Sequence, residues 1–250
     1  MIGCNLRGRA ALVTGASAGL GRHFAELLAS HGAHVVLAAR RRDIVEDVVA
    51  IIRASGGSAA AQELDVANAA SVEQAVRLAG EIDILVNNAG ITSAESALEI
   101  READYDAIVN TNQKGSLLVA LEVARAMKAR GVGGTIINIA SILGLRQAGH
   151  VTLYAMSKAA IIQMTKQLAL ELARFGIRCN ALAPGYFETD LNRDFFATEE
   201  GARLIKRIPQ RRLGRAPDLD GPLLLLASDA SRFMTGSVIT VDGGHMVSGL

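Results

Sequence analysis

Tyr154 and Lys158, in the stretch "YAMSK", are residues whose types and spacing could carry acid–base chemistry. If the segment is helical, a spacing of four places both side chains on one face. An ammonium group beside a phenol favours the phenolate and lowers a tyrosine pKa that starts near ~10. Tyr154 would then exchange protons near neutral pH. A surface tyrosine next to a solvated lysine is the alternative, so the surrounding chain must decide.

A second signal is the glycine-rich stretch "TGASAGLG" at 14–21, between the first predicted strand and the first predicted helix. Its glycines remove Cβ atoms where the turn is tight and where a diphosphate must approach the backbone. The helix that follows offers free N–H groups and a positive dipole end to an anion. The spacing is GxxxGxG rather than the GxGxxG of the common dinucleotide fingerprint. Its position in a strand–turn–helix unit predicts nucleotide binding.

The end of the second predicted strand indicates which dinucleotide is bound. An acidic residue there would bond the ribose 2′-hydroxyl of NAD, whereas arginine would accept the 2′-phosphate of NADP. The sequence reads "AARRRD", with Ala39 at the expected recognition position and Arg40, Arg41 and Arg42 after it. NADP(H) is therefore favoured over NAD(H). The alternative is that these arginines only solvate the turn while Asp43 caps the next helix.

These stretches must be positioned by elements that alternate along the chain. Predicted strands lie at 9–15, 34–40, 61–66, 82–90, 134–141, 176–185 and 237–244, and predicted helices at 19–31, 43–54, 71–79, 104–129, 152–174 and 217–228. Such alternation predicts one Rossmann-type doubly wound α/β domain over 1–250, with a parallel seven-stranded sheet and helices on both faces. The segment 186–215 breaks the rhythm and is predicted to be a substrate-binding loop.

The amino-acid composition limits the classes of partner and cofactor that the protein is expected to bind. The formal net charge of +1 gives no reason to expect nucleic acid or an anionic membrane as a partner. No apolar run reaches the ~20 residues that span a bilayer, and the N-terminus does not resemble a signal peptide. Cys4 and Cys179 do not form a disulfide framework, and Cys179 is expected to be buried. The histidines show no metal-ligand spacing. A cytoplasmic enzyme without a metal is expected.

Four motifs together resemble the short-chain dehydrogenase/reductase family over essentially the whole chain. They are "TGASAGLG", "NNAG" at 87–90, Ser141, and "YAMSK" at 154–158, and "VDGG" at 241–244 follows near the end. Ser141 precedes Tyr154 by thirteen residues, as in the family. The resemblance implies a catalytic set of Asn112, Ser141, Tyr154 and Lys158.

In the mechanism that the resemblance implies, a hydride passes between the nicotinamide and a carbonyl carbon. Tyr154 would exchange the proton on the carbonyl oxygen, and Ser141 would hydrogen-bond the same oxygen. Lys158 would lower the tyrosine pKa and bind the nicotinamide ribose. Asn112 would hold a water that links Lys158 to solvent. The alternative is a purely structural role, in which Ser141 and Asn112 only cap helices or turns.

The resemblance also implies where the cofactor binds. The positions fall in five segments, with Tyr154 and Lys158 shared with catalysis: Gly15, Ser17, Gly19, Leu20 and Gly21; Arg40 and Arg41; Asp65 and Val66; Asn88, Ala89 and Gly90; Pro184, Gly185, Phe187 and Thr189.

The substrate is expected to lie between 142–151 and the loop 186–215. The first stretch is mixed and carries Arg146, Gln147 and His150, whereas the loop carries aromatics and then arginines (Arg203, Arg207, Arg211, Arg212) that are expected to be solvated. A reductase of ketones or 3-oxo compounds is the main prediction. The stretches "PGYFETDLNRDFF" and "IPQRRLGRAPDLDG" resemble gluconate 5-dehydrogenase-like members, which gives the alternative of a sugar-acid oxidoreductase.

Two other functions stay open at this point: a non-catalytic NADP sensor, and a lyase or epimerase on a related scaffold. The helices 104–129 and 152–174 are long and rich in apolar residues. Family members pair through them, so a homotetramer is expected.

Overall fold

The computed structural model describes residues 4–188 and 193–248. Its centre is one parallel sheet of seven strands in the order β3-β2-β1-β4-β5-β6-β7. The strands are β1 (Ala10–Thr14), β2 (His34–Ala39), β3 (Ser58–Glu63), β4 (Ile84–Asn87), β5 (Gly134–Ile139), β6 (Ile177–Pro184) and β7 (Val238–Val241). The strand order reverses between β1 and β4, which opens a crevice at their carboxyl ends where ligands bind in such sheets.

Helices cover both faces of the sheet. They are α1 (Gly19–Ser30), α2 (Arg42–Ala54), α3 (Ala69–Ala79), α4 (Glu102–Ile108), α5 (Ser116–Arg130), α6 (Thr152–Leu172), α7 (Arg193–Phe196), α8 (Glu199–Arg207) and α9 (Asp220–Ala227). Successive strand residues point to opposite faces, so each strand feeds two cores. Val13 packs with Phe24 of α1 and Leu223 of α9, whereas Leu12 packs with Val119 of α5 on the other side. The predicted doubly wound fold is confirmed.

Two predicted elements were wrong in detail. The third strand was predicted at 61–66 but lies at Ser58–Glu63. The apolar residues Leu64 and Val66 that suggested the later register are buried in the turn that follows the strand. The helix predicted at 104–129 is α4 and α5 separated by a π-helical turn, Val109–Gly115. Its sequence, "VNTNQKG", is poor in strong helix formers.

The segment 186–215 has local structure of its own. It contains α7 and α8, and Phe187 forms an isolated parallel bridge with Gly214. The stretch before α6 is irregular, because His150 has a φ of 61° and the helix begins only at Thr152. His150 therefore does not lie on the face of α6 that carries Tyr154. In the described part of the chain, no helix has both the length and the apolar character needed to cross a membrane.

Candidate active site

The carboxyl ends of three neighbouring strands bring the predicted site together. "NNAG" begins with the last residue of β4, Ser141 follows β5 by two residues, and Pro184 ends β6. The Ala140 N–H donates to the Leu182 carbonyl at 2.7 Å, which places Ser141 beside the end of β6. Ser141 also caps a short 3-10 turn, since its hydroxyl accepts the Leu143 N–H at 3.1 Å. Ser141 thus lies directly before the stretch 142–151, and its side chain is near Tyr154 of α6.

Tyr154 and Lys158 lie one turn apart on α6, as predicted. The Lys158 Nζ atom is 5.5 Å from the centroid of the Tyr154 ring. It donates a hydrogen bond to the Ile139 carbonyl at 2.8 Å, and only 6 % of the lysine surface is exposed. The Ser141 hydroxyl is near enough to the Tyr154 phenol to act on the pKa of that phenol. Ser141, Tyr154 and Lys158 therefore form one cluster over the end of β5.

Burial shifts the pKa values of the two titratable groups in this cluster, Tyr154 and Lys158, in opposite directions. Desolvation raises the pKa of Tyr154, and the Ser141 hydroxyl offsets only part of that rise. Desolvation lowers the pKa of Lys158 to about 8. The prediction that the pKa of Tyr154 is lowered is wrong for this structure, because burial outweighs the favourable interactions of the phenolate. Tyr154 is a protonated phenol at neutral pH, which is the form that a proton donor needs.

Asn112 is held in the π-helical turn between α4 and α5. Its Oδ1 accepts the Ile91 N–H at 2.8 Å, and its Nδ2 donates to the Ile91 carbonyl at 2.8 Å and to Ser157 Oγ at 2.9 Å. Ser157 in turn donates to the Tyr154 carbonyl at 2.7 Å. Asn112 is thereby tied to the backbone of α6, and the space between Asn112 and Lys158 borders Gly90. π-helical turns are often found at functional sites.

The "NNAG" motif ties the glycine-rich turn to β4. The Thr14 hydroxyl accepts the N–H groups of Asn88 and Ala89, both at 3.0 Å. The Asn88 side chain donates to the carbonyls of Thr14 at 3.1 Å and Gly15 at 3.3 Å. The Asn88 side chain therefore holds the glycine-rich turn in place against the end of β4. Sequence reasoning missed Thr14 and Ser157, although each is a hydroxyl residue inside a motif that it quoted.

The glycine-rich turn fits a diphosphate. A Cβ on Gly21 would lie 2.2 Å from the Gly15 carbonyl oxygen, so only glycine fits there, and Gly15 itself has a φ of 66°. The residue before α1, Ala18, provides no side-chain cap, and the first turn of α1 has no acidic residue. The free N–H groups of α1 are left for an anion. Ser17 and Leu20 are half-buried beside this turn, and Gly19 is exposed.

Arg40 and Arg41 stand exposed at the end of β2, next to the buried Ala39. Neither has a side-chain hydrogen bond or an ion pair with a residue that the structure describes. Arg42 differs, because its Nε donates to Glu46 at 2.9 Å within α2. Two cations therefore remain available to an anionic group at this corner of the sheet.

The remaining predicted cofactor positions border the same crevice. One oxygen of Asp65 accepts the Ala67 N–H at 3.0 Å, and Val66 is buried against Gly115. Gly185 is in close contact with Asp242, where a Cβ would lie 2.8 Å from the Asp242 Cα. The Phe187 ring is buried against Gly214, so this side chain packs beneath the loop. Thr189 lies outside the described residues.

The arginines of the loop divide into two groups. Arg203 pairs with Glu199 at 3.0 Å and Arg212 pairs with Asp218 at 2.6 Å. Arg207 and Arg211 are exposed. Among the described residues, no group of three or more His, Cys, Asp and Glu side chains is placed to hold a metal ion.

The comparisons with known proteins agree with this geometry. The family model for enoyl-(acyl carrier protein) reductase matches residues 15–246. The chain is 40% identical over 245 residues to 2-dehydro-3-deoxy-D-gluconate 5-dehydrogenase of Dickeya dadantii, with 97% of each chain covered. It is 36% identical over 241 residues to 3-oxoacyl-[acyl-carrier-protein] reductase of Escherichia coli, with 96% of this chain and 98% of the relative covered.

A solved structure extends the likeness to three dimensions. The gluconate 5-dehydrogenase of Burkholderia cenocepacia, in complex with NADP and tartrate, superposes with a TM-score of 0.95 at 38% identity and covers 99% of this chain and 98% of its own. The chain therefore belongs to the short-chain dehydrogenase/reductase family. Within it, the chain falls in the branch of gluconate 5-dehydrogenases and 3-oxoacyl reductases, and it is an oxidoreductase that uses a nicotinamide cofactor to interconvert carbonyl and alcohol groups.

Proposed function

We propose that Asn112, Ser141, Tyr154 and Lys158 are the catalytic site of this oxidoreductase. The observation that supports this assignment most is the cluster in which the Ser141 hydroxyl acts on the Tyr154 phenol and Lys158 Nζ lies 5.5 Å from the tyrosine ring. The nicotinamide cofactor supplies the hydride in reduction and accepts it in oxidation. Tyr154 gives its phenolic proton to the carbonyl oxygen of the substrate in reduction and takes it back in oxidation.

Ser141 and Lys158 support that proton transfer. The Ser141 hydroxyl is placed to hydrogen-bond the same substrate oxygen and so to stabilise its developing charge. Lys158, with a pKa lowered to about 8, is able to lose and regain a proton near neutral pH and so to restore the proton on Tyr154. Asn112 holds the helix of Tyr154 against the turn after β4 and borders the space in which a water would reach Lys158.

NADP(H) is the proposed cofactor. Arg40 and Arg41 are exposed and lie at the corner where the adenosine ribose binds in this class of fold. A 2′-phosphate would give each of them a charged partner, whereas NAD would leave both without one. The similar gluconate 5-dehydrogenase structure is a complex with NADP. We expect kcat/KM for NADPH to exceed that for NADH by about tenfold or more.

The main proposed substrate class is a ketone or a 3-oxo compound. A second candidate, a gluconate-type sugar acid, is favoured by the names of the 2-dehydro-3-deoxy-D-gluconate 5-dehydrogenase and gluconate 5-dehydrogenase to which the chain is similar. In either case the segment 186–215, with α7, α8 and the aromatic pair Tyr186 and Phe196, covers the substrate.

We also infer a homotetramer. α5 and α6 carry apolar side chains that are partly exposed, among them Leu117, Met156 and Leu170 at 38%, 50% and 76%. A second copy of the chain would cover them. Light scattering of the purified protein tests this inference, and a monomer at micromolar concentration would contradict it.

The activity is tested by mixing the purified protein with NADPH or NADH and a panel of substrates. The panel contains cyclic ketones, a 3-oxo ester and 5-ketogluconate, and loss of cofactor absorbance is followed. We expect turnover with NADPH on at least one carbonyl compound. Tight NADPH binding without turnover of any member would contradict the proposal and favour the sensor function.

A further inference from the structure

Arg146 is a cation on the predicted substrate side that has no acidic partner. It lies between Ser141 and Tyr154 in the chain and is partly exposed. Its Nη1 donates to the His245 carbonyl and lies 3.5 Å from Ser248 Oγ. Within residues 4–188 and 193–248 it forms no ion pair with a carboxylate. The remaining N–H groups of the guanidinium are left for a ligand.

Two further polar side chains, those of Tyr186 and His245, are near enough to Arg146 to be affected by its charge. The Tyr186 and His245 rings lie against each other with centroids 5.4 Å apart. The Tyr186 hydroxyl makes no hydrogen bond with any residue that the structure describes. His245 is only 6% exposed, and its Nδ1 is buried without a hydrogen-bond partner.

Positive charge dominates this cluster. Desolvation raises the pKa of Tyr186 and lowers the pKa of His245. The Arg146 guanidinium acts to lower the pKa of both groups, and Arg207 of α8 acts on His245 in the same direction. Asp242 is the carboxylate that opposes them, but its two oxygens accept the Gly244 and Met246 N–H groups at 2.9 and 2.6 Å. An added anion would therefore find excess positive charge and unused donors.

The cluster lies beside the catalytic groups. Ser141 is level with the end of β6, and Tyr186 is two residues beyond Pro184, the last residue of that strand. Pro184 pairs with Val241 of β7, and His245 is four residues further on. Because neighbouring strands are ~4.8 Å apart, the cluster is within reach of a small substrate held at Ser141.

We propose that Arg146 and Tyr186, with His245 packed behind them, form a carboxylate-binding subsite, so that the substrate is a hydroxy or keto acid. This inference rests on the proposed catalytic site and names its substrate class. Arginine binds a carboxylate through parallel N–H donors, and the phenol adds a third. The arginines Arg203 and Arg212 of the loop are excluded from this role because carboxylates already pair with them.

Matched substrates that differ only in charge test the subsite. With NADP⁺, we compare D-gluconate with D-gluconamide and 3-hydroxybutyrate with 3-hydroxybutyramide, and we include cyclohexanol as a neutral alcohol. The wild-type protein should prefer at least one acid over its amide by about 10–100-fold in kcat/KM. In Arg146→Ala that preference should fall about tenfold or more, with the amide rates changed less than about threefold.

Tyr186→Phe keeps the ring contacts and removes only the hydroxyl, so it tests the subsite even if Arg146→Ala does not fold. It should lower the acid preference by about three- to tenfold. Arg125→Ala is the control, because Arg125 is exposed and pairs with Glu122 on α5. It should leave the preference unchanged.

Binding provides a second readout. Calorimetry of the NADP⁺-loaded protein should show L-tartrate binding more tightly than threitol, which has the same carbon chain without carboxylates, and Arg146→Ala and Tyr186→Phe should each weaken the tartrate binding. Equal use of acids and amides, or equal binding of tartrate and threitol, would overturn the subsite while turnover of cyclohexanol keeps the proposed function. Failure to oxidise any of the alcohols would count against the proposed function itself, and the calorimetry would still decide on the subsite.

Discussion

Lys158 Nζ lies 5.5 Å from the centroid of the Tyr154 ring, with the lysine side chain buried and the tyrosine half-buried. Burial raises the pKa of the tyrosine and lowers the pKa of the lysine to about 8. The pair is therefore a protonated phenol beside an amine that titrates close to neutral pH. This arrangement suits a site that must deliver a proton to a carbonyl oxygen and then recover one.

The buried Lys158 should reduce the stability of the folded protein. Its pKa falls from 10.5 to about 8. At ~1.4 kcal/mol for each pH unit of that difference, keeping the ammonium buried costs roughly 3 kcal/mol at pH 7. The cost is fully present below about pH 8 and disappears as the pH rises towards 10.5. We expect Lys158→Met to lose activity and to be more stable than the wild type at pH 7, by an amount that shrinks at pH 9.5.

Denaturant unfolding of both proteins at pH 7 and pH 9.5 measures this difference. Lys166→Met is the control, since Lys166 is exposed on the same helix, and its effect should not depend on pH. A Lys158→Met protein whose stability relative to the wild type is the same at both pH values would show that burial does not displace the lysine pKa.

Arg40 and Arg41 should determine the cofactor preference. Replacing both with alanine removes two charged donors to a 2′-phosphate, each worth about tenfold or more in affinity. We expect kcat/KM for NADPH to fall by about 10–100-fold and that for NADH to change less than about threefold. Arg42→Ala is the matched control, because Arg42 is already paired with Glu46. The same loss with both cofactors, or an equal loss in the control, would show that these arginines do not select NADP.

Gly21→Ala should damage the cofactor site. The added methyl would lie 2.2 Å from the Gly15 carbonyl and 2.5 Å from Asn88 Nδ2, so the glycine-rich turn must move. We expect the KM for the cofactor to rise about tenfold or more and the protein to lose about 1–3 kcal/mol of stability. Gly221→Ala is the control, since a Cβ there meets nothing within 4 Å, and alanine stabilises a helix relative to glycine. Unchanged cofactor KM in Gly21→Ala would refute the role assigned to this turn.

Ser157 should act as a positioning residue for the catalytic set. Ser157→Ala removes the acceptor of Asn112 Nδ2 and the donor to the Tyr154 carbonyl. We expect kcat to fall about tenfold, KM for the carbonyl substrate to change little, and stability to fall by about 1–3 kcal/mol. Ser157→Thr keeps the hydroxyl and should restore most of kcat if the added methyl is accommodated. Loss of stability without any loss of kcat would indicate a purely structural role.

The fold was predictable because its signals are local and repeated. Continuous apolar runs and alternating helices indicate a covered parallel sheet. The strands β1, β2 and β6 lie within one residue of their predicted ends, and β5 lies within two. β3 was displaced because three alanines, Ala59 to Ala61, pair with β2 despite their weak strand preference. Pairing with the neighbouring strand decided its register, and that contact is not visible in a local window.

The sequence was enough to predict which residues form the site, but it was not enough to predict how buried those residues are. Tyr154, Ser141 and Lys158 come together as their motifs predict, but the direction of the pKa shift of Tyr154 depends on how deeply the phenol is buried. The spacing between two residues in the sequence shows that their side chains can come into contact. It does not show how much water surrounds those side chains in the folded protein. The cluster of Arg146, Tyr186 and His245 joins three segments up to about a hundred residues apart, so no motif could reveal it.

The most direct test of the central claim is kcat of Tyr154→Phe with NADPH and the best carbonyl substrate of the panel, alongside the Kd for NADPH. If Tyr154 is the proton donor, kcat falls by about 10²–10⁴-fold while NADPH binds within about threefold of the wild type. Tyr105→Phe, at an exposed tyrosine on α4, should keep wild-type activity. A Tyr154→Phe protein that binds NADPH normally and keeps more than about a tenth of wild-type kcat would contradict the assignment.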